Sequence, residues 1–285
     1  METSSLARRL STRFVAGETL DQALAVARKL NAEGITVTLD HLGESVSTLT
    51  EAAEARDVYL RTLEAIHANG IQGNVSLKLT QFGLDLSWEQ CLANVDRLVR
   101  RAAELGTFVR VDMESSDYTG RTLDLVHTLY ARHGAVGVVI QCYLYRSQAD
   151  IEKLCAAKIR VRLCKGAYLE PAAVAFPRKS DVDKSYLELT RYLLTNGVYP
   201  ALATHDEAVI RQTCQFVIEG KIPRDGFEFQ MLYGIRRDLQ RRLVAEGYRL
   251  RLYVPFGKAW YPYYMRRLAE RPANVFFMLR NLFRH

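Results

Sequence analysis

The sequence predicts an α/β fold, a single (β/α)8 barrel, on three observations. Eight short runs rich in β-branched and aromatic residues recur along the 285 residues, each bounded by Gly, Pro or a turn. Segments of helical periodicity separate them, and this alternation demands parallel pairing, because a crossover helix returns the chain to the same edge of the sheet. No Pro/Ser/Gly-rich linker, low-complexity tract or repeat beyond the βα period divides the chain. Residues 1–285 therefore read as one domain, with 1–33 a short N-terminal helical arm and 34–285 the barrel, a size that suits this architecture. An open doubly wound sheet is the competitor. A dinucleotide-binding sheet of that kind usually carries GxGxxG after a strand, and no GxG occurs here.

In chain order, a helix near 19–31 opens at Thr19, with Gln22 three residues on. The first strand is ITVTLDHLG (35–43), and a helix start follows at Thr48 with Glu51. NVSLKL (74–79) is the second strand, and Ser87 with Gln90 begins the next helix. There Leu92, Val95, Val99 and Ala103 recur at three- and four-residue steps, which places them on one apolar face. FVRVDME (108–114) and VGVVIQC (136–142) are the third and fourth strands, and Ser147 with Asp150 marks another helix start. In each of these pairs a hydroxyl can accept from an orphan backbone N–H while the side chain three residues on reaches back to the cap. IRVRLCK (159–165), PALATH (200–205), FEFQMLYG (227–234) and LRLYVPFG (250–257) complete the strands.

Composition narrows the functional classes. Hydrophobic residues make up 48% of the chain and charged ones 25%, ordinary for a soluble globular protein. No apolar run reaches the roughly 18 residues of a transmembrane span. The start, METSSLARRLSTRF, has no apolar core or small-residue cleavage site, so no secretory signal is expected and the cytoplasm is the default compartment. Five scattered cysteines without a CxxC, and six histidines without an HExxH, predict neither a disulfide framework nor a metal site. A net charge of +7 could suit nucleic acid or an anionic surface. However, 39 basic residues are interspersed with 32 acidic ones, without a polybasic tail, so a solvated mixed surface is expected rather than a nucleic-acid-binding module.

Barrels of this kind carry their chemistry at the C-terminal ends of the strands. Those ends hold Lys78, Asp112, Gln141, Lys165, His205, Gln230 and Tyr253. Any single one could belong to a structural ion pair. A set that recurs strand after strand within apolar runs points to a site, because a partly buried charge needs a partner or a ligand.

Longer motifs carry a specific likeness. RLCKGAYLEP (162–171), YYMRRLAERPAN (263–274), SLKLTQFG (76–83), VDMESS (111–116), ATHD (203–206), FQMLYG (229–234) and RLYVPFG (251–257) together resemble the proline dehydrogenase family. The likeness spans nearly the whole chain from the first strand onward. It implies FAD-dependent oxidation of L-proline to Δ1-pyrroline-5-carboxylate, the first step of proline degradation to glutamate. It also implies a distorted barrel with a C-terminal helix over the active site. Electrons would pass to a quinone, and a separate pyrroline-5-carboxylate dehydrogenase would be a partner. The family's carboxylate-binding Arg pair falls on Arg266 and Arg267, its substrate-site Lys on Lys78, and its third-strand Asp on Asp112. Met113, Gln141, Arg162, Lys165, Gly166, Ala167, Thr204 and His205 match positions that hold FAD, and Gln230 and Glu270 join them. Tyr253, Tyr168, Tyr264 and Leu232 match the walls around the proline ring. Where family members carry a longer N-terminal helical arm, one recognisable helix precedes the first strand here, which leaves arm-dependent oligomerisation open.

The residue types suit that chemistry. Proline is a zwitterion, and paired arginines meet its carboxylate in bidentate fashion. Arg266 and Arg267 would point about 100° apart on a helix and could grip from two sides, although such pairs on surface helices commonly face solvent. Hydride transfer to flavin N5 leaves negative charge near N1 and O2, which Arg162 and Lys165 can oppose. Lys78 or Lys165 could instead form a Schiff base, as in barrel aldolases, but their charged neighbours argue against the desolvation this favours. Asp112 either orients Lys78 or assists removal of the amine proton. His205 is a flavin contact by its motif and a core histidine otherwise. After Pro272, the residues Val275, Phe276, Leu279 and Phe283 lie at helical spacing with Arg271, Arg280 and Arg284 around them. They form either a helix docked on the barrel or a peripheral contact with the inner membrane.

Overall fold

The eight runs form parallel strands closed into a barrel in sequence order. They are β1 (Thr36–His41), β2 (Gly73–Leu77), β3 (Val109–Val111), β4 (Val136–Gln141), β5 (Arg160–Cys164), β6 (Ala201–Ala203), β7 (Glu228–Leu232) and β8 (Leu250–Phe256). The computed structural model describes residues 13–261, 263 and 265. β8 closes on β1 from Thr36↔Arg251 to His41↔Phe256. Every strand stops short of its β-rich run at the C-terminal end, as β3 does at Val111 and β6 at Ala203. The residues beyond those points line the barrel mouth. Asp112 marks the transition, its N–H still donating to Leu77 O at 2.8 Å while its side chain joins the site.

Helix α1 (Leu20–Ala32) precedes the barrel. α2 (Leu49–Ala68), α3 (Trp88–Glu104), α4 (Thr119–His133), α5 (Ser147–Ala156), α6 (Lys179–Asn196), α7 (Glu207–Glu219) and α8 (Arg237–Ala245) follow β1 to β7 in turn. The apolar core is the layer between sheet and helices, where Val109, Val111, Val138 and Ile140 meet Val95, Leu98, Val99, Leu125 and Leu129. Each such side chain contributes about 1.5–3 kcal/mol on full burial. The buried face of α3 runs through Cys91, Val95, Leu98, Val99 and Ala102, whereas Ala103, expected on that face, is exposed. Among the described residues no helix is long and apolar enough to cross a membrane.

The helix starts differ in detail from the expected reciprocal caps. Thr19 forms the full box with Gln22. Thr48 accepts from Glu51 N–H at 3.1 Å, but the Glu51 carboxylate accepts from Ser47 N–H instead. Ser87 accepts from Gln90 N–H at 3.3 Å and donates its own proton to Glu89. Ser147 is not a cap. It is the first residue of α5, its hydroxyl donates to Gln141 O at 2.6 Å, and Asp150 instead pairs with Arg146. The buried carbonyl at the end of β4 is a stronger claimant for that hydroxyl than the helix end.

The lumen departs from the branched apolar layers common in this architecture. Thr38 on β1 donates to Asn74 on β2 at 2.6 Å. Arg251 on β8 reaches the same Asn74 oxygen at 3.1 Å and pairs with Glu228 on β7 at 2.8 Å. Arg110 on β3 donates to Val138 O and Arg160 O at 3.1 and 2.8 Å. Gly137 makes room for it, since a Cβ there would stand 2.7 Å from Arg110 Nη1. Burial works to raise the Glu228 pKa, but Arg251 first, then Gln230 and Arg110, outweigh it and hold the carboxyl below the ordinary value.

Candidate active site

One layer above, the lumen opens into a cavity of about 650 Å³ at the C-terminal mouth, within the usual range of small-molecule and cofactor sites. Its floor is a charge network spanning the barrel. Arg162 on β5 donates through Nη1 to Asp112 Oδ1 at 2.8 Å and to Ser76 Oγ on β2 at 3.3 Å. Ser76 donates to the same Asp112 oxygen at 2.5 Å. The Tyr253 hydroxyl donates to Asp40 Oδ2 at 2.6 Å and lies 3.3 Å from Asp112 Oδ2. Burial, with Asp40 and Asp112 beside it, pushes the Tyr253 phenol well up, so it stays a proton-bearing donor. Tyr59 completes the set by donating to Asp40 Oδ1 at 2.8 Å. The Nε and Nη2 of Arg162 are buried and have no hydrogen-bond partner. A buried cation with two idle donors calls for an acceptor from a ligand.

The wall along β4 and β5 is positioned by Gln141. Its Nε2 donates to Glu114 O at 2.9 Å, and its Oε1 accepts from Ala167 N–H at 3.0 Å, which ties the loop after β5 to the loop after β3. Gly166 lies between them at φ 140°, where a Cβ would stand 2.5 Å from the Tyr143 ring. Gly166→Ala is expected to move this loop and cost on the order of 1–3 kcal/mol in strain. Thermal unfolding checks this, and an unchanged melting temperature would show that the Tyr143 ring yields freely. The preceding Lys165 sits between Asp183 at 2.5 Å and Asp206 at 2.9 Å. Its charge is thus shared with two carboxylates, as that of Arg162 is with Asp112.

On the opposite wall, His205 Nε2 accepts from Leu232 N–H at 2.9 Å, which assigns the ring proton to Nδ1. The Thr204 hydroxyl accepts from Asp206 N–H at 3.0 Å, and Gln230 donates to Glu228 Oε1 at 2.5 Å, joining the cavity to the ion pair beneath it. Lys78 begins the 3₁₀ turn after β2. Burial works to lower its pKa, but Asp40, Asp112, Glu44 and Glu114 prevail and raise it. Lys165 is raised in the same way, burial being outweighed by Asp183 and Asp206. A Schiff-base lysine attacks as the free amine, and neither lysine is set up for that.

The cavity therefore gathers Lys78, Asp112, Met113, Gln141, Arg162, Lys165, Gly166, Ala167, Tyr168, Thr204, His205, Gln230, Leu232 and Tyr253. Of the expected site residues, Tyr264, Arg266, Arg267 and Glu270 lie outside the described residues, as does the stretch 273–285. The close partners of Asp112 are Arg162, Ser76 and Tyr253, while Lys78 acts on it at longer range. Sequence reasoning missed Asp40, Ser76, Asp183 and Asp206. Asp40 sits at the end of β1 and could have been found by that criterion, whereas Asp206 lies beyond β6 as the N-cap of α7. Ser76 lies inside a strand and Asp183 on α6, where no local signal marks them.

A parallel barrel with ionisable groups converging at its C-terminal mouth has the form of a barrel enzyme. A family model described as Proline dehydrogenase matches residues 23–280. The Proline dehydrogenase of Deinococcus radiodurans is 44% identical over 278 residues, covering 96% of this chain and 90% of that one. Proline dehydrogenase 1 of Bacillus subtilis strain 168 is 43% identical over 270 residues, 95% of this chain and 89% of its own. The crystal structure of proline utilization A (PutA) from Bdellovibrio bacteriovorus inactivated by N-propargylglycine superposes with a TM-score of 0.86 at 27% identity, covering 92% of this chain and 32% of that one. The chain belongs to the proline dehydrogenase family.

Proposed function

We propose that this chain oxidises L-proline to Δ1-pyrroline-5-carboxylate with FAD as its cofactor. The observation that carries the reading is Arg162, a buried cation in the cavity lining whose Nε and Nη2 have no protein partner. A flavin ring edge, rich in carbonyl and nitrogen acceptors, fits those donors. Gln141, Gly166, Ala167, Thr204 and His205 would hold the remainder, with Met113, Lys165 and Gln230 beside them. When bound, FAD supplies the two-electron acceptor for the hydride that leaves C5 of proline as the C5=N bond forms.

The chain's own residues do the rest. Arg266 and Arg267 would clamp the proline carboxylate, and Lys78, kept as an ammonium, adds a third cation. Because Lys78 holds its proton, the carboxylate of Asp112 is the group to take up the amine proton. Arg162 and Ser76 fix that carboxylate in place. Tyr253, Tyr168, Tyr264 and Leu232 would enclose the ring and exclude water. Electrons then pass to a quinone, with the apolar and basic stretch 273–285 as the part suited to a membrane surface. The product passes to a separate pyrroline-5-carboxylate dehydrogenase.

Purified protein should be yellow, and L-proline should bleach the flavin band without oxygen. A colourless protein that FAD cannot reconstitute sinks the reading. Changing Arg266 or Arg267 to Met should lower kcat/KM for proline roughly 30-fold, mainly through KM, since a lost charge-assisted contact costs about 2 kcal/mol. Wild-type kinetics in both variants would remove the clamp from those positions.

A further inference from the structure

At the opposite end of the lumen, β3, β5 and β8 begin in a second cluster of cations that the cavity does not use. Arg160, the first residue of β5, holds its Cζ 5.0 Å from the Phe108 ring centroid and 5.7 Å from that of Tyr199. Arg249, just before β8, stands 5.9 Å from the Tyr199 ring and also donates to the Tyr199 hydroxyl, which occupies one of its N–H groups and leaves the others, and Arg110 stands 5.1 Å from Phe108. An aromatic ring occupies the flat face of a guanidinium and leaves its N–H edges for an oxyanion. The Glu228 carboxylate is already taken by Arg251 at 2.8 Å. Among the described residues, neither Arg160 nor Arg249 has an ion-pair partner. Arg110 Nε is buried without a hydrogen-bond partner.

Two backbone features mark the same place. Tyr199 adopts φ 47°, a left-handed conformation that is an outlier for a bulky residue and persists only where its surroundings enforce it. Gly137 has given up a side chain so that Arg110 can lie across it. The burial of Arg110, followed by repulsion from Arg162, Arg251 and Arg160, pulls its pKa well below the ordinary value, with Glu228 opposing. An anion here would relieve that repulsion.

We propose that the N-terminal mouth of the barrel is a second, anion-binding site that takes a phosphate-type oxyanion between Arg160 and Arg249. Planar guanidinium forks match phosphate oxygens two at a time. A tetrahedral dianion can meet two forks at once, one at the start of β5 and one just before β8, which a single carboxylate does less well.

Titration calorimetry of the full-length protein with inorganic pyrophosphate, beside sedimentation with phosphatidylglycerol vesicles, separates a soluble phosphate from a lipid headgroup. One-to-one pyrophosphate binding is expected, weakened about tenfold or more in Arg160→Gln and in Arg249→Gln. Arg249 is exposed, so its variant keeps the test valid if Arg160→Gln folds poorly. Vesicle binding that these substitutions abolish, without pyrophosphate binding, assigns the headgroup as the source. Binding indifferent to both substitutions, or no binding to either probe, overturns the site.

Discussion

Glu228→Ala is expected to destabilise the barrel by about 3–5 kcal/mol, because it leaves a buried cation without its counter-charge. The carboxylate is 2% exposed and pairs with Arg251 at 2.8 Å, while Gln230 and Arg110 also lean on it. At the roughly 2–4 °C per kcal/mol usual for chains of this size, the melting temperature should fall by about 6 °C or more. A second change should return part of the loss. Glu228→Ala with Arg251→Met removes both charges, and apolar replacement of a buried pair is often close to neutral. The pH dependence has a definite sign. A carboxyl held below its ordinary value stabilises the fold above the unfolded pKa and loses that effect as pH falls through the folded one. The gap between wild type and Glu228→Gln should therefore narrow as pH falls from neutral through and below the ordinary carboxylate range. A gap that widens in acid, or a single variant as stable as wild type, would show that the pair does not hold the lumen.

Arg162→Met should lower kcat/KM for proline by about 100-fold or more, the loss typical of removing one donor aimed at developing charge. Two effects combine. The cavity lining loses a buried cation whose Nε and Nη2 have no protein partner, and Asp112 loses its partner at 2.8 Å. The flavin midpoint potential of the purified variant should also fall, a readout that a merely loosened pocket would not give. Unchanged potential with unchanged kinetics would take Arg162 out of the chemistry.

The barrel was legible because its two periodicities alternate without interruption. Eight β-rich runs gave eight strands, each shorter than its run at the C-terminal end. The difference shapes the cavity, since residues such as Asp112, Lys165 and His205 look like strand continuation locally but line the barrel mouth. The ring of polar strand ends was equally legible, because a charge in an apolar run stands out. The partners were not. Asp183 reaches Lys165 from α6, and Ser76 reaches Asp112 from another strand, over separations that local patterns do not encode.

By itself the sequence determined the fold class, the parallel strand order and the chemical types gathered at one end of the barrel. Periodicity, capping hydroxyls and short connections act over a few residues and need no knowledge of distant contacts. Only the tertiary structure decided which charges compensate one another. It gave Lys165 to two carboxylates, Glu228 to Arg251 and Arg162 to Asp112, and it left Nε and Nη2 of Arg162 buried without a partner. Ser147 shows the same competition on a smaller scale, its hydroxyl going to Gln141 O rather than to a helix end. Pairing depends on distance and burial across the closed lumen, where a few ångströms and the loss of water decide whether a charge is neutralised or kept for a ligand.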